Sequence, residues 1–478
     1  MSVEKILIPD VLAHRYASQE MCYIWSAHGR VLIERELWIA VMKAQRDLGV
    51  DIAVDAIEAY ERVKNQVDLE SIDQKERISR HDVKARIDEF CELAGYEQIH
   101  KGMTSRDLTD NVEQLQILKS LHLVRKKYTA ALNSLSQWAH RYQNLMMVGR
   151  THNVPAQPTT LGKRLAMFGQ EMLQAFLRLE ELIDNYPMRG LQGAVGTQLD
   201  QWVLLNNNTD ALKELGERVR HHLGFTKVFN AVGQVYPRSL DYEAVSSLYG
   251  LSSGISSLAR TLRLMAGQEL VTEGFQKGQV GSSAMPHKMN MRSCERINGF
   301  HSILNGYTNM LMGISGDQWN EGDVSCSVVR RVAIPGAMYT MDGQLETLLT
   351  VLNEMGFYES VIDQELSKYL PFVTTTTILM EAVRRGSGRE EAHEAIKTNA
   401  IEVVRAMRSG ESTINDLPQR LAADSRLPLN EDEIRAVLQD SKRFVASSAA
   451  QVNGFVKQVE DILNKYPEAK EYQPAPLI

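Results

Sequence analysis

The stretch after Asn111 carries apolar residues at steps of three or four for about 30 residues without a break. Its apolar positions are Leu115, Leu118, Leu121, Val124, Tyr128, Leu132, Leu135, Trp138 and Tyr142. This spacing places all of these side chains on one face of an α-helix. At 1.5 Å per residue the predicted helix is about 45 Å long. Such a long apolar face must be covered along its whole length, which favours packing against other long helices.

Three further apolar stripes have the same period. They run over residues 165–182, 245–265 and 338–355. No proline lies between Pro9 and Pro155, and the later prolines are also widely spaced, which permits long helices. Strand-type alternation is rare by comparison. The sequence therefore predicts an all-α fold that is built around a long central helical bundle.

The two ends of the chain differ from its centre. Residues 1–111 hold shorter helical segments between polar stretches, and residues from 365 onward are richer in glycine and proline. We expect three helical domains: an N-terminal helical domain (1–111), a central long-helix bundle (112–364) and a C-terminal helical domain (365–478). The long helices carry more apolar surface than one narrow bundle can hide. We therefore expect the bundle to associate with copies of itself.

Charge and cysteine content argue against several classes of protein. The chain has 53 Lys and Arg against 60 Asp and Glu, a formal charge of −7, whereas general nucleic-acid binding requires a basic surface. The four cysteines form no CxxC pair, which indicates a reducing compartment and no disulfide framework or zinc cluster. The N-terminus is unlike a signal peptide, and no apolar run is long enough to span a membrane. The cytoplasm is the expected location.

Two motifs that could indicate other chemistry are poor candidates. Residues 250–254 match the GxSxG string of hydrolases, but they lie within helical periodicity, whereas a nucleophilic serine needs a strand–turn–helix setting. His221 and His222 have no third ligand at a useful spacing for a metal. We expect neither a metal nor a cofactor.

Six polar segments interrupt the helical pattern and share glycine, hydroxyl residues, histidine and cations. They are GQVGSSAMPHKMN (278–290), GRTHNVPAQPTTLG (149–162), IHKGMTSRDLTDN (99–111), RHDVKA (80–85), GAVGTQ (193–198) and DQWNEGDVSCSVVRRV (317–332). A polar surface loop is the ordinary explanation of any one of them. Six in one helical chain predict a composite site at the bundle ends or at the seams between subunits.

These segments resemble a known superfamily. GSSAMPHKMN resembles the signature loop SSxMPxKxN of the fumarase/aspartase superfamily, and three of the other segments resemble its histidine, threonine–serine and glycine segments in the same chain order. Arg15-Tyr16, residues 80–82, His287 and the stretch from Trp319 resemble the adenylosuccinate lyase family within it. The resemblance implies three helical domains, a homotetramer and active sites that are each built from three subunits.

The reaction that the resemblance implies is a β-elimination of purine nucleotide biosynthesis. Adenylosuccinate lyases, which are carbon–nitrogen lyases, remove fumarate from adenylosuccinate to give AMP, and from its imidazole-ribotide analogue. A base takes a proton next to a carboxylate, an acid protonates the leaving nitrogen, and fixed donors stabilise the intermediate. By resemblance Ser282 is the base and His152 the acid. Reversed roles, or another histidine such as His81, remain open.

The resemblance also implies a set of substrate-binding residues. Arg15 and Tyr16 would meet the phosphate, and Arg80, His81 and Asp82 would line the nucleotide. The succinyl carboxylates and the rest of the anion cage would involve Thr104, Ser105, Thr151, Gln198, Lys288, Asn290, Arg296, Ser327 and Arg331. Gly322 stands where the family usually has a phosphate-holding arginine, so another cation, such as Arg292 or Arg330, would have to replace it.

Two other functions compete with this interpretation. The first is another lyase of the superfamily, such as an argininosuccinate or aspartate lyase. Arg15-Tyr16 and residues 80–82 argue against it, because a nucleotide monophosphate needs that additional cationic pocket. The second is a catalytically dead binding protein on the same scaffold. The presence of both Ser282 and His152 argues against it.

Overall fold

A computed structural model describes residues 8–274, 285, 288–439 and 444–475. The first six helices are α1 (Val11–Arg15), α2 (Gln19–Trp25), α3 (Ala27–Asp47), α4 (Val54–Val63), α5 (Leu69–Ser79) and α6 (Asp82–Ala94). The central elements are α7 (Ser105–Arg141), β1 (Met146–Thr151), β2 (Val154–Thr160), α8 (Leu161–Asn185), β3 (Pro187–Met188), α9 (Leu199–Leu204), α10 (Thr209–His222), β4 (Lys227–Val228), α11 (Ser239–Ala266), β5 (Val271–Thr272), α12 (Arg292–Ile314) and α13 (Ser327–Glu354). The predicted all-α class is confirmed, since the strands form only short pairs within these described residues.

The C-terminal elements complete the chain. They are β6 (Gly356–Phe357), α14 (Glu359–Val373), α15 (Thr375–Arg384), α16 (Arg389–Ser409), α17 (Leu417–Ala423), α18 (Glu431–Gln439), α19 (Ser448–Lys465) and a 3₁₀ helix (Pro467–Glu471). Strands β1 and β2 form an antiparallel hairpin, β3 and β4 a short parallel pair, and β5 and β6 a short antiparallel pair.

Five long helices form the bundle, and they alternate in direction. Helices α7, α11 and α13 run one way, while α8 and α12, which pack beside them, run the other way. Arg238 contacts Asp110 at 3.1 Å where α7 and α11 begin. Trp138 Nε1 donates to the carbonyl of Leu352 at 2.7 Å near the C-termini of α7 and α13. We call the end where α7, α11 and α13 begin the lower end and the opposite end the upper end.

The predicted stripes are the core of this bundle. Every stripe residue named on α7 is buried except the half-buried Trp138, and the stripes on α8, α11 and α13 are buried apart from the half-buried Phe168. Full burial of such side chains contributes about 1.5–3 kcal/mol each, which holds the helices together along their length. Helix α13 continues through Pro335 and α14 through Pro371, so neither proline ends its helix.

The C-terminal part divides in two. Helices α15–α18 enclose a small core of their own, which includes Ile378, Ile396 and Ile434. Helix α19 instead packs on α7 and α8, where the ring of Phe455 occupies the space left by Gly169. The predicted domain boundaries at residues 111 and 364 lie inside α7 and α14.

None of the helices in the described ranges combines the length and the apolarity that crossing a membrane requires.

Candidate active site

The joint between α5 and α6 carries three of the predicted substrate-binding residues. Arg80 ends α5 in the left-handed conformation, with φ 53°. His81 is the N-cap of α6, because its Nδ1 accepts the backbone N–H of Lys84 at 3.2 Å. A neutral His81 therefore carries its proton on Nε2 and can donate from there. Protonation of Nδ1 would break the cap, so this geometry favours a binding role for His81 over an acid role.

Asp82 is the first residue of α6, and its carboxylate is held in the ionised form. It accepts the backbone N–H of Val83 at 2.8 Å and Arg86 Nη2 at 3.1 Å. Burial opposes ionisation, but Arg86 and the Val83 N–H together hold the pKa of Asp82 below its ordinary value. An ionised carboxylate accepts hydrogen bonds, so Asp82 suits a hydroxyl of the substrate rather than its phosphate.

Thr104 and Ser105 lie at the N-terminus of α7, where one aspartate anchors two predicted segments. Asp107 Oδ2 accepts the backbone N–H of Thr104 at 2.8 Å and forms a capping box. Asp107 Oδ1 accepts Arg189 Nη1 at 2.6 Å and the backbone N–H groups of Gln192 and Gly193 at 2.8 and 3.0 Å. The threonine–serine segment and the glycine segment are therefore tied to the same buried carboxylate.

Gln198 follows within that glycine segment. It has a left-handed backbone, with φ 57°, and its Nε2 donates to the carbonyl of Leu191 at 3.0 Å. This internal bond closes the loop 191–198 and leaves the side-chain oxygen of Gln198 as a candidate acceptor. Because Asp107 anchors both segments and the Gln198 backbone N–H donates to the carbonyl of Gln192, Gln198 lies near the α7 N-terminus.

Three helix N-termini converge on one cavity at the lower end. The starts of α6, α7 and α13 line a cavity of about 140 Å³. Helix N-termini carry partial positive charge and unpaired N–H groups, so their convergence favours an anionic ligand. Of the predicted residues, the cavity brings together His81, Asp82, Ser105, Ser327 and Arg331. Five of its lining residues were not predicted from the sequence: Arg30, Val83, Arg106, Thr109 and Glu113.

Glu113 neutralises two of the arginines at this cavity. It contacts Arg330 Nη1 at 2.6 Å and Arg30 Nη2 at 3.6 Å. Burial alone would raise the pKa of Glu113, but Arg330 and Arg30 lower it to about 2. Arg330 also contacts Asp241 at 2.7 Å and is buried. Because Glu113 and Asp241 already pair with Arg330, it is a poor substitute for the phosphate-holding arginine that the family usually has at the position of Gly322. Arg331 is exposed and lines the same cavity, so it is better placed for that role, whereas Arg292 lies at the opposite end of the bundle, where α12 begins.

Arg15, Tyr16 and Arg296 form a second group on the side of the bundle. The ring of Tyr16 packs edge-on against Phe300, with ring centroids 5.2 Å apart. The Arg296 guanidinium lies 5.3 Å from the centre of the same ring. Arg15 is exposed beside them at the end of α1. These three predicted residues are thus neighbours, although 280 positions separate Tyr16 from Arg296 in the chain.

Thr151 and His152 lie at the upper end, at the tip of the β1–β2 hairpin. His152 and Asn153 both have positive φ values, 52° and 63°, and form its two-residue turn. Both are exposed. The hairpin is held against the C-terminal helices, since Arg150 pairs with Glu365 and Gln157 Nε2 donates to Thr376 at 2.9 Å. His152 is therefore presented on a fixed tip. The sequence pattern did not indicate this hairpin.

Lys288 and Asn290 also lie at the upper end. Both line a cavity of about 880 Å³ between the end of α11, the start of α12 and the start of α14. Arg260 and Arg263 line it too, together with Glu269 and Glu295, and Arg263 lies 3.6 Å from the Glu295 carboxylate. Ser282, the predicted base, and His287 lie outside the described residues.

The two ends of one chain are separated by the length of the bundle. Helix α7 has 37 residues, so Ser105 and Arg141 are about 54 Å apart. The connection from Arg141 to His152 spans at most about 40 Å when fully extended. His152 therefore stays at least about 14 Å from Ser105 of the same chain. This minimum exceeds the reach of the two side chains toward a single atom, so a site in which both contact the same atom of a ligand would need more than one copy of the chain.

The GxSxG string and the His221-His222 pair lie in surroundings that do not suit a nucleophile or a metal site. Ser252, from the GxSxG string, is buried in the middle of α11, where its hydroxyl lies 3.0 Å from His301 Nδ1. His221 and His222 are exposed at the end of α10. Within the part of the chain that the structure describes, no cluster of three or more His, Cys, Asp or Glu side chains could hold a metal ion.

Two family models match the sequence. The model described as lyase matches residues 17–304, and the model described as adenylosuccinate lyase C-terminus matches residues 371–455. The first match covers α2–α11 and the first part of α12, and the second covers the separate small core of α15–α18.

Curated relatives match along nearly the whole chain. A protein from Saccharomyces cerevisiae named adenylosuccinate lyase is 32% identical over 96% of each chain. One of the same name from Schizosaccharomyces pombe is 33% identical over 94% of this chain and 93% of its own. A third, from Archaeoglobus fulgidus, is 27% identical over 96% of this chain and 100% of its own.

Solved structures share the fold. A fumarate lyase from Mesorhizobium sp. BNC1 superposes with a TM-score of 0.78 at 20% identity, over 93% of this chain and 99% of its own. A 3-carboxy-cis,cis-muconate lactonizing enzyme from Pseudomonas putida superposes with a TM-score of 0.80 at 19% identity, over 94% of this chain and 99% of its own.

Proposed function

Because this chain belongs to the adenylosuccinate lyase family of the fumarase/aspartase superfamily, we propose that it eliminates fumarate from adenylosuccinate to give AMP. We propose the same elimination from the succinylaminoimidazole carboxamide ribotide, which gives the aminoimidazole carboxamide ribotide. The observation that carries the proposal is the near-complete coverage of relatives of that name at about one third identity.

The acid of the proposed reaction is His152 and the base is Ser282. The hairpin supports the first assignment, because its exposed tip is fixed by Arg150 and Gln157 and can present an imidazole to another copy of the chain. The N-cap role of His81 supports it as well, since that histidine is occupied in binding the backbone of α6. A serine becomes a useful base only in a strongly stabilising field, which Lys288 would supply beside it.

The lower end would bind the succinyl part of the substrate. Thr104 and Ser105 would hold a succinyl carboxylate at the N-terminus of α7, where the helix dipole favours negative charge. Arg331 and Ser327 would meet the same ligand from α13. Because Asp107 fixes this region before the substrate arrives, the donors need no rearrangement when charge builds up in the intermediate.

A homotetramer would unite the two ends. Large apolar side chains remain exposed along the bundle, namely Met167, Leu177, Leu264, Ile303, Met310, Met312, Val328 and Val332. A groove of about 1140 Å³ between α8 and α11 leaves room for a helix of another copy. If neighbouring bundles pack antiparallel, the upper end of one chain meets the lower end of the next. We also propose a cytoplasmic location, which the four unpaired cysteines support.

The direct test follows the ultraviolet absorbance of adenylosuccinate with the purified protein and identifies the products by chromatography. The proposal expects equal amounts of AMP and fumarate. Release of fumarate from argininosuccinate or aspartate, without any from adenylosuccinate, would assign the chain to another branch of the superfamily. Binding of AMP without any elimination would indicate a catalytically dead scaffold.

A further inference from the structure

Lys127 is a fully buried cation in the middle of α7, far from either end of the bundle. Its three N–H donors meet three acceptors: Ser18 Oγ at 2.9 Å, Glu346 Oε1 at 2.6 Å and a carboxylate oxygen of Asp342. The proposed reaction does not use it. A buried ion cluster in which every donor is satisfied holds its members in one arrangement.

Asp342 of this cluster binds the turn that contains Arg15 and Tyr16. Asp342 Oδ2 accepts the backbone N–H of Ser18 at 2.6 Å. The next residue on α13, Gly343, leaves space for Tyr16, since a Cβ at this glycine would lie 2.8 Å from Tyr16 Cβ. Helix α13 thus provides both the space that the Tyr16 side chain occupies and the carboxylate that accepts the backbone N–H of Ser18.

Glu346 of this cluster binds the C-terminal segment. Tyr472 donates its hydroxyl to Glu346 Oε1, the same oxygen that Lys127 contacts, and the backbone N–H of Ala475 donates to Glu346 Oε2 at 2.7 Å. The Lys127 ammonium lies 5.6 Å from the centre of the Tyr472 ring. Burial and the Glu346 carboxylate raise the pKa of Tyr472, so it remains a proton donor.

We propose that Lys127, Asp342, Glu346 and Tyr472 are positioning residues through which the C-terminal segment 472–475 sets the Arg15–Tyr16 turn for the substrate's phosphate. This inference rests on the proposed function, because that function gives Arg15 and Tyr16 their ligand. If the Tyr472 hydroxyl is removed, Glu346 Oε1 retains only Lys127. The ammonium then moves toward Glu346 and away from Asp342 and Ser18, which loosens the turn.

The test compares two tyrosines of the C-terminal region. Tyr472→Phe removes the hydroxyl on Glu346, whereas Tyr466→Phe removes a matched hydroxyl on Glu180 of α8, outside the cluster. Because a phosphate contact binds substrate and transition state alike, Tyr472→Phe is expected to raise KM for adenylosuccinate about threefold to tenfold with kcat within about twofold. Tyr466→Phe is expected to leave both unchanged. Equal KM values for Tyr472→Phe and the wild type would overturn the inference.

A second measurement needs no substrate. Hydrogen exchange of the peptide that contains Ser18 is expected to quicken in Tyr472→Phe and in Asp342→Asn, but not in Tyr466→Phe. Unchanged exchange in both cluster variants would refute the coupling. If the wild type released no fumarate while exchange changed as expected, the proposed function would fail and the coupling would stand. If the wild type were active but neither KM nor exchange changed, only the coupling would fail.

Discussion

Replacement of Asp107 by asparagine tests how the lower end is assembled. Asp107 Oδ1 accepts three donors, from Arg189, Gln192 and Gly193, while Oδ2 accepts the backbone N–H of Thr104. Asparagine has one oxygen and one NH₂ group. Both oxygens of Asp107 accept hydrogen bonds, so the NH₂ group of asparagine must point at an N–H donor and cannot bond to it. The less damaging orientation sacrifices the bond to Thr104, which contributes about 1 kcal/mol.

The loss of charge has the larger effect. Arg189 is fully buried, and Asp107 is the carboxylate that pairs with it. Removing one partner of a buried ion pair costs about 3–5 kcal/mol. The asparagine oxygen still accepts from Arg189, so we take the lower part of that range. Asp107→Asn is therefore expected to lower the free energy of unfolding by about 4 kcal/mol.

The assay is urea-induced unfolding, followed by far-ultraviolet circular dichroism at one fixed protein concentration because the chain is expected to associate. Asp210→Asn is the control, since Asp210 is also an aspartate in the first turn of a helix but is exposed. It should change the free energy of unfolding by less than about 0.5 kcal/mol. A loss below about 1 kcal/mol in Asp107→Asn would refute the proposed anchor.

Three further predictions follow from the site. His152→Ala should lower kcat about 10²–10⁴-fold without unfolding the protein, measured by fumarate release and circular dichroism; near-normal turnover would exclude His152 as the acid. His81→Asn should preserve the N-cap of α6, whereas His81→Leu should lower the free energy of unfolding by about 1 kcal/mol in urea; equal stability would contradict the cap. Arg330 and Arg30 lower the pKa of Glu113 from 4.5 to about 2, so the ionised carboxylate should stabilise the folded state fully above about pH 4.5. This stabilisation should be lost as the pH falls toward 2. If the urea midpoints of the wild type and of Glu113→Gln depended on pH in the same way, this expectation would be contradicted.

The sequence predicted the long helices well because apolar periodicity directly reflects burial along one face. Helix α12 was missed although Ile297, Phe300, Leu304, Leu311 and Ile314 are buried on it. A polar run between Leu304 and Met310 interrupts that stripe, so its apolar period is not continuous. The β1–β2 hairpin was missed because its turn, His152-Asn153, has no glycine to signal the positive φ values.

The candidate site was predicted in part. Residues at helix starts, such as Ser105 and Ser327, could be found because they lie in short polar segments with a recognisable composition. Arg30 and Glu113 lie inside helices, and only the packing of α3 against α7 brings them to the cavity. Buried ion pairs of this kind join positions that are far apart in the chain, so no local sequence pattern predicts them. The same holds for Lys127 and Asp342, which are 215 positions apart.

The central claim is that one site uses the upper end of one chain and the lower end of another. His152→Ala and Arg331→Ala, on chains with different affinity tags, can be coexpressed and purified through both tags. Each variant alone should have little activity. In mixed assemblies, half of the upper ends and half of the lower ends are intact, so about one quarter of the sites should carry both and restore about one quarter of wild-type fumarate release. Mixed assemblies that are no more active than either variant alone would contradict a shared site.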